Sequence, residues 1–196
     1  DPDLPVIVEL IGGTTEAYDL VCGALRAKKI VVTGNKALLA ERGQELLALA
    51  EECGVPIFFE AAVAGGIPII QVLQEGLVGN RIVSIHGIIN GTCNYILTRM
   101  YGAGLSYEEA LAEAQEKGYA EADPTLDISG WDAAHKAIIL ASLSYGFWIP
   151  AQDVYVEGVD SVSITDFRFA ERLGYTIKLL SVIRADEAGR VEVRTQ

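Results

Sequence analysis

The stretch VIVELIGG, residues 6–13, is an apolar run of strand length closed by two glycines. KIVVTGNK, residues 29–36, repeats the form, and VPIFFE, residues 55–60, repeats it once more. Amphipathic stretches separate them: residues 15–27, with Thr14 or Thr15 as the cap, and about 38–53, stopping at Gly54. Unbroken apolar strands alternating with helical stretches are the pattern of βαβ units, whose parallel sheet is covered on both faces. The spacing therefore predicts a parallel sheet over the first sixty residues.

Beyond residue 60 the texture changes. AAVAGGIP, residues 61–68, reads as a glycine-rich turn, and residues 67–77 as a short helix of their own. Residues 81–90 alternate as a strand that is apolar on both faces, which predicts a sheet with a covered side. Helices are expected over 92–101, from the Ser106/Glu109 capping box to about Gly118, over 129–144, and from Ser163 with Asp166. Residues 175–183 and 190–193 read as a hairpin around Glu187-Ala188-Gly189. A domain boundary is expected near Glu60.

Composition excludes several classes of function. With 51% hydrophobic and 21% charged residues among 196, the chain can repay its ordering entropy, so disorder is excluded. A net charge of −12 has the wrong sign for a phosphate backbone, so no nucleic-acid partner is expected. The longest charge-free stretch, residues 137–152, holds Gly146 and Pro150 and falls short of the roughly 20 apolar residues of a spanning helix. No membrane association is expected. DPDLP at the start offers no basic segment of a secretory signal. Cys22, Cys53 and Cys93 are scattered and odd in number, so they read as reduced thiols of a cytoplasmic protein.

Three clusters could carry chemistry. GYAEADPTLDISGWDAAHK, residues 118–136, puts four carboxylates and a lysine within nineteen residues. Asp127 stands where a helix N-cap belongs, and Asp132 and Lys136 lie one turn apart on one face. Such a pair is either a surface ion pair of small energy or a buried pair retained for function. The apolar neighbours Trp131, Ala133, Ala134, Ala137, Ile138 and Ile139 favour the second. In the second cluster Lys36 follows a parallel strand at its carboxyl end, where open α/β sheets bind ligands; it either contacts a ligand or simply opens a helix. The third, EAAVAGGIP from Glu60 to Pro68, is either an oxygen cage for a hard cation or a tight turn without one. His86 and His135 have no third ligand spaced with them and read as structural. No G-x-G-x-x-G occurs, so the pyrophosphate turn of a dinucleotide fold is expected upstream of Asp1.

With these residues in view, the chain resembles the homoserine dehydrogenase family along essentially its whole length. Ala114, Gly118, Asp123, Pro124, Asp127, Ile128, Gly130, Asp132 and Lys136 fill every fixed place of the family signature. NGTCNYIL, EAAVAGGIPII and the GNK around Lys36 are similar to further family blocks, in order, with Gly34 where the family commonly has alanine. The resemblance implies an α/β and α+β fold: the C-terminal half of a Rossmann-type parallel sheet (residues 1–60), then a mixed α+β substrate-binding and dimerisation domain (residues 61–196) that is C-terminally incomplete. It implies a fragment of an NADP- or NAD-dependent oxidoreductase interconverting L-homoserine and L-aspartate 4-semialdehyde on the route to threonine and methionine, working as a homodimer.

Carried over by position, Lys136 would donate the proton to the aldehyde oxygen, and Lys36 would be a second lysine near nicotinamide and substrate. Asp132, Asp127 and Glu121 would bind the substrate or orient the lysine, with Thr92 and Tyr119 lining the pocket. Gly12 would lie against the cofactor, and Glu60, Val63, Gly65 and Ile67 would hold a sodium ion. Two other readings stay open. One is a non-catalytic substrate-binding and dimerisation module. The other is aspartate-semialdehyde dehydrogenase chemistry, which needs a cysteine nucleophile, for which Cys93 is the candidate, and leaves Lys136 unexplained.

Overall fold

A computed structural model describes residues 3–196. Contacts group them into two compact units, one running to Ile82 and taking in Ile138–Asp153, the other formed by Val83–Ala137 and Val154–Gln196. The first unit thus extends past Glu60, where the change of texture suggested a boundary.

In the first unit β1 (Val6–Glu9), β2 (Ile30–Thr33) and β3 (Ile57–Phe58) form a parallel sheet in that order, with Val6 opposite Ile30 and Glu9 opposite Thr33. Helices α1 (Glu16–Arg26) and α2 (Lys36–Cys53) supply the crossovers. Ala17, Val21, Ala24 and Leu25 recur at helical spacing on α1 and are buried with Val31, Leu38, Leu46 and Ala50. The helix face thereby covers the sheet. Asn35 caps α2, its Oδ1 accepting from Leu38 N at 3.1 Å. Strand β3 is two residues long, shorter than the apolar run that predicted it, because Phe59 already leaves the ladder for a single 3₁₀ turn, Glu60–Ala62. The expected short helix is α3 (Ile69–Gln71), continued by a π-helical turn, Val72–Gly76.

The second unit is built on a four-stranded sheet in the order β4 (Ser84–Gly87), β6 (Ser181–Ala185), β7 (Val191–Thr195), β5 (Tyr155–Val156). The pairs β4–β6 and β6–β7 are antiparallel and β5–β7 parallel. Helices α4 (Gly91–Ala103), α5 (Tyr107–Glu116), α6 (Thr125–Ile128) and α8 (Ile164–Arg172) belong to it, and α7 (Trp131–Tyr145) begins there. Both expected capping boxes form, at Ser106/Glu109 and Ser163/Asp166. Buried Ile96, Leu97 and Met100 of α4 pack with Ala110 and Ala114 of α5, Phe167 of α8 and Leu179. Asn94 ties α4 to the chain entering β6: its Nδ2 donates to Leu179 O and its Oδ1 accepts from Leu179 N at 3.1 Å.

Three sequence expectations need correction here. The hairpin strands are Ser181–Ala185 and Val191–Thr195, since residues 175–179 run irregularly before pairing begins with Leu180 against Gln196. The strand expected over 81–90 pairs only at Ser84–Gly87. Ser84, His86 and Ile88 are exposed while Ile85, Gly87 and Ile89 are half-buried, so only one face is covered. Asp127 is not the N-cap of the long helix: it sits inside the single turn α6, whose opening Asp123 steadies by accepting from Thr125 N and Oγ1.

The reason for that break lies at Gly130, whose φ of +85° separates α6 from α7. A Cβ there would approach Glu157 O to 2.7 Å, and one at Gly158 would meet Ile128 O at 2.2 Å. Two backbone segments cross in contact, joined by Val159 N donating to Ile128 O at 2.8 Å. Only glycine at both positions permits so close an approach. The crossing sets where Asp127 and the first turns of α7 stand.

Candidate active site

Within the second unit a cleft of about 490 Å³ is lined by Asn90, Gly91, Thr92, Tyr95, Gly118, Tyr119, Asp127, Asp132 and Lys136. Lys136 Nζ donates to Asp132 Oδ2 at 2.6 Å and to Ile89 O at 2.8 Å. The two residues are one turn apart on α7, as their spacing predicts, and Asp132 is only 6% exposed. The pair is therefore held at the cleft wall and is not a solvated surface pair. The ammonium is fixed by two acceptors from different elements, which orients it without consuming its third proton.

Asn90, the N-cap of α4, is 2% exposed. Its Oδ1 accepts from Cys93 N at 2.8 Å, and its Nδ2 donates to Asp127 Oδ1 at 2.7 Å and Asp132 Oδ2 at 2.8 Å. One amide thus joins both carboxylates of the cleft. Cys93 donates its Sγ–H to Asp127 O at 3.1 Å. Burial first, then the charges of Asp127 and Asp132, push this thiol up to about 12, against the smaller opposing effect of Lys136. A thiol so buried and so weakly acidic is a poor nucleophile.

The far wall is aromatic. Thr92 Oγ1 donates to Tyr119 O at 2.7 Å, and the Tyr119 and Tyr95 rings lie 4.7 Å apart. Tyr95 OH donates to Glu113 Oε1 at 2.8 Å, and Arg99 Nε reaches Glu113 Oε2 at 2.8 Å. Lys117, Arg99 and Tyr95, in that order of effect, hold the Glu113 carboxyl down at about 2.

Of the residues singled out from the sequence, Lys136, Asp132, Asp127, Thr92 and Tyr119 thus share one cleft. Glu121 does not line it: its side chain is exposed, and its carbonyl accepts from Gln115 Nε2 at 3.1 Å. Asn90 and Tyr95 were missed as individual residues, although the block NGTCNYIL contains both. An asparagine ahead of a helix reads first as a cap, and nothing local shows that its other end meets acids some forty residues away.

Lys36 and Gly12 lie in the first unit, at the carboxyl ends of β2 and β1. There the sequence reading missed Glu9, a carboxylate 4% exposed. Its Oε1 accepts from Ile11 N at 2.9 Å and Gly12 N at 3.3 Å, and its Oε2 from Thr33 Oγ1 at 2.6 Å. Asn35 Nδ2 donates to Gly13 O at 2.8 Å, closing the network. Gly12 and Gly13 both have φ near +75°, at 75° and 74°, and a Cβ on either would meet nothing within 4 Å. An open glycine turn beyond parallel strand ends is where such sheets receive a ligand. The signal for Glu9 was the acid inside an otherwise apolar strand.

In the loop after β3, the Glu60 carboxylate accepts from Ile70 N at 2.8 Å and Gln71 N at 2.9 Å and so caps α3. Among the described residues nothing donates to the carbonyls of Val63 or Gly65, while those of Glu60 and Ile67 each accept one bond, from Val63 N and Ile69 N. Ala64 and Gly65 both have positive φ, 61° and 59°. A non-glycine residue such as Ala64 is strained in that conformation. The donor set is one of backbone oxygens, which suits a hard monovalent or divalent cation. Among the described residues no three His, Cys, Asp or Glu side chains are grouped so that they could hold a metal ion.

Comparison with known proteins bears on the whole chain. The family model described as homoserine dehydrogenase matches residues 68–196, and that of the homoserine dehydrogenase NAD-binding domain matches residues 1–60. The chain is 49% identical over 196 residues to the homoserine dehydrogenase of Bacillus subtilis, covering 100% of this chain and 45% of that protein. To the Pseudomonas aeruginosa homoserine dehydrogenase it is 51% identical over 189 residues, covering 96% and 44%. A solved homoserine dehydrogenase from Thiobacillus denitrificans superposes with a TM-score of 0.96 at 50% identity, covering 99% of this chain and 45% of that one. One from Thermoplasma acidophilum gives 0.81 at 28% identity, covering 97% and 57%. The chain spans less than half the length of the Bacillus subtilis and Pseudomonas aeruginosa relatives.

Proposed function

Because the chain belongs to the homoserine dehydrogenase family, we propose that its lysine cleft serves the NADP- or NAD-linked interconversion of L-homoserine and L-aspartate 4-semialdehyde, a step toward threonine and methionine. The observation that carries this reading is Lys136 Nζ, fixed at a cleft wall by Asp132 Oδ2 and Ile89 O.

Reduction of an aldehyde builds negative charge on its oxygen, and that charge needs a nearby cation and a proton. A bound reduced nicotinamide would supply the hydride to the carbonyl carbon. Lys136 supplies both remaining needs: its ammonium stabilises the growing alkoxide and transfers a proton to that oxygen, and in the reverse direction its amine receives the proton. Asp132 keeps the ammonium aimed. Asp127, and Glu121 from outside the cleft, balance the charge of the substrate's own ammonium, while Thr92 and Tyr119 bound the space beside it. In the first unit Lys36 acts as the second lysine beside nicotinamide and substrate, and the Gly12 turn, held by Glu9, lies against the cofactor. The backbone oxygens of Glu60, Val63, Gly65 and Ile67 suit a sodium ion that steadies the loop, with the Glu60 carboxylate kept for capping α3.

Exposed Val83, Ile88, Tyr155 and Leu180 in and beside the strands of the second unit supply apolar surface for a homodimer. No helix among the described residues is long and apolar enough to cross a membrane, and three free cysteines suit a reducing compartment, which supports work in the cytoplasm.

The test is semialdehyde-dependent oxidation of NADPH or NADH by the natural polypeptide, before and after treatment with iodoacetamide. Turnover that survives alkylation is expected. Phosphate-dependent reduction of NADP+ or NAD+ by the semialdehyde, abolished by alkylation, would instead indicate the acyl-enzyme route through Cys93.

A further inference from the structure

Between the two carboxylates of the cleft stands a neutral group that touches both. Asn90 Nδ2 lies 2.7 Å from Asp127 Oδ1 and 2.8 Å from Asp132 Oδ2, and the second of these oxygens also receives Lys136 Nζ at 2.6 Å. The amide is itself immobilised. Its Oδ1 accepts from Cys93 N, the main-chain carbonyl of Asn90 accepts from Asn94 Nδ2 at 2.9 Å, and the residue is 2% exposed. Both protons of the amide nitrogen are thereby used, one on each acid.

We propose that Asn90 is a positioning residue for the reaction: its amide bridges Asp127 and Asp132 and so sets the Asp132 oxygen on which the Lys136 ammonium is aimed. The inference rests on the reading of Lys136 as the proton donor and deepens it. Two carboxylates brought to one wall repel each other, and each can relieve the strain by turning away or by binding a proton. Either response changes Asp132 Oδ2 and with it the anchor of the ammonium. A donor shared between the acids removes both responses, because it bonds to their ionised forms and holds them at a set separation. The charged and titratable groups that meet at this point are Asp127, Asp132, Lys136 and the Cys93 thiol. The thiol is pushed up by burial and stays protonated through the working range.

Two substitutions separate this role from capping. Asn90→Ser keeps an oxygen able to cap α4 but loses the bridging amide. Asn90→Asp keeps shape and cap and places a third acid between the other two; only when protonated can it donate one hydrogen bond in the amide's place. In the natural polypeptide, Asn90→Ser is expected to lower kcat by at least about tenfold with less effect on KM for the semialdehyde. Asn90→Asp is expected to show a deficit that shrinks as pH falls and the new carboxyl takes up its proton, a trend absent from Asn90→Ser. Natural kcat in both variants, or an Asn90→Asp deficit constant with pH, would overturn the inference. The aspartate variant alone suffices should the serine variant fail to fold. Lys136→Ala, measured in parallel, separates the two claims: full activity there overturns the proton-donor reading, whereas loss there with unimpaired Asn90 variants overturns only the bridging role.

Discussion

Asp132 Oδ2 accepts from Lys136 Nζ at 2.6 Å and from Asn90 Nδ2 at 2.8 Å, so one oxygen of one carboxylate aims the cleft's ammonium and is itself held from a second helix. An acid four residues ahead of a lysine ordinarily contributes a few tenths of a kcal/mol. Here the side chains of Asp132 and Lys136 are 9% and 17% exposed, and direction matters more than energy. Asp132→Asn keeps the shape and removes the charge. It is expected to lower kcat by about 10- to 100-fold with a smaller change in substrate KM, since a poorly aimed acid fails mainly in the transition state. Steady-state kinetics at one pH check this, and unchanged kcat would contradict it.

Glu9 gives a prediction about the first unit. Its carboxylate meets Ile11 N, Gly12 N and Thr33 Oγ1 in a buried place. Glu9→Gln leaves one of these donors facing an N–H group and is expected to cost about 1–3 kcal/mol, read from the urea midpoint. It is also expected to raise KM for the nicotinamide cofactor several-fold. An unchanged midpoint and an unchanged KM would show that the turn holds itself.

Two glycines with close neighbours should respond unequally. Gly158→Ala drives a methyl into Ile128 O, a backbone atom 2.2 Å away that is fixed by its bond to Val159 N. A loss of about 2–3 kcal/mol is expected. Gly43→Ala meets the Trp148 ring at 2.1 Å, a side chain able to swing, and alanine returns about 1 kcal/mol of helix propensity within α2. The smaller loss, accompanied by a change in tryptophan fluorescence, is expected there. The reverse order of stabilities in chemical denaturation would refute the distinction.

Glu113 links the aromatic wall to pH. Its folded carboxyl is held at about 2, below its ordinary value of 4.5, chiefly by Lys117 and then by Arg99 and Tyr95. A depressed carboxyl contributes stability that is present above the unfolded value and lost as pH falls through the folded one. Glu113→Gln should therefore lower the thermal midpoint at pH 7 and approach the natural protein between about pH 4.5 and 2. Its partners Lys117 and Arg99 reach solvent, so the difference should also shrink in high salt. A gap that is constant from pH 7 to pH 2 would mean that the ion pairs contribute nothing.

Much of this architecture is legible in the chain because its signals are local. The runs containing Val6 and Val31 read as parallel strands, although Val6 and Val8 of the first prove exposed where burial was expected; the capping boxes of Ser106 and Ser163 mark helix starts, and the four-residue interval from Asp132 to Lys136 puts both on one face. The failures share a cause, which is that the deciding partner is distant. Asp127 looks like a cap until Gly130 is seen crossing Glu157, a contact that only folding makes. Asn90 looks like a cap and is one, yet its other end meets acids from α6 and α7. Glu9 looks like a flaw in an apolar strand, and Thr33 with the turn at Gly12 gives it its partners. Glu121 was placed among the substrate-binding acids by resemblance, and its side chain is exposed and outside the cleft lining.

The central claim is that the Lys136 ammonium delivers the proton to the carbonyl oxygen. Comparing kcat and KM of Lys136→Ala with those of the natural polypeptide, in semialdehyde reduction, tests it most directly. A fall in kcat of about 100-fold or more with KM changed only a few-fold is the expected result. Turnover at the natural rate would remove Lys136 from the chemistry and leave the cleft as a binding site alone.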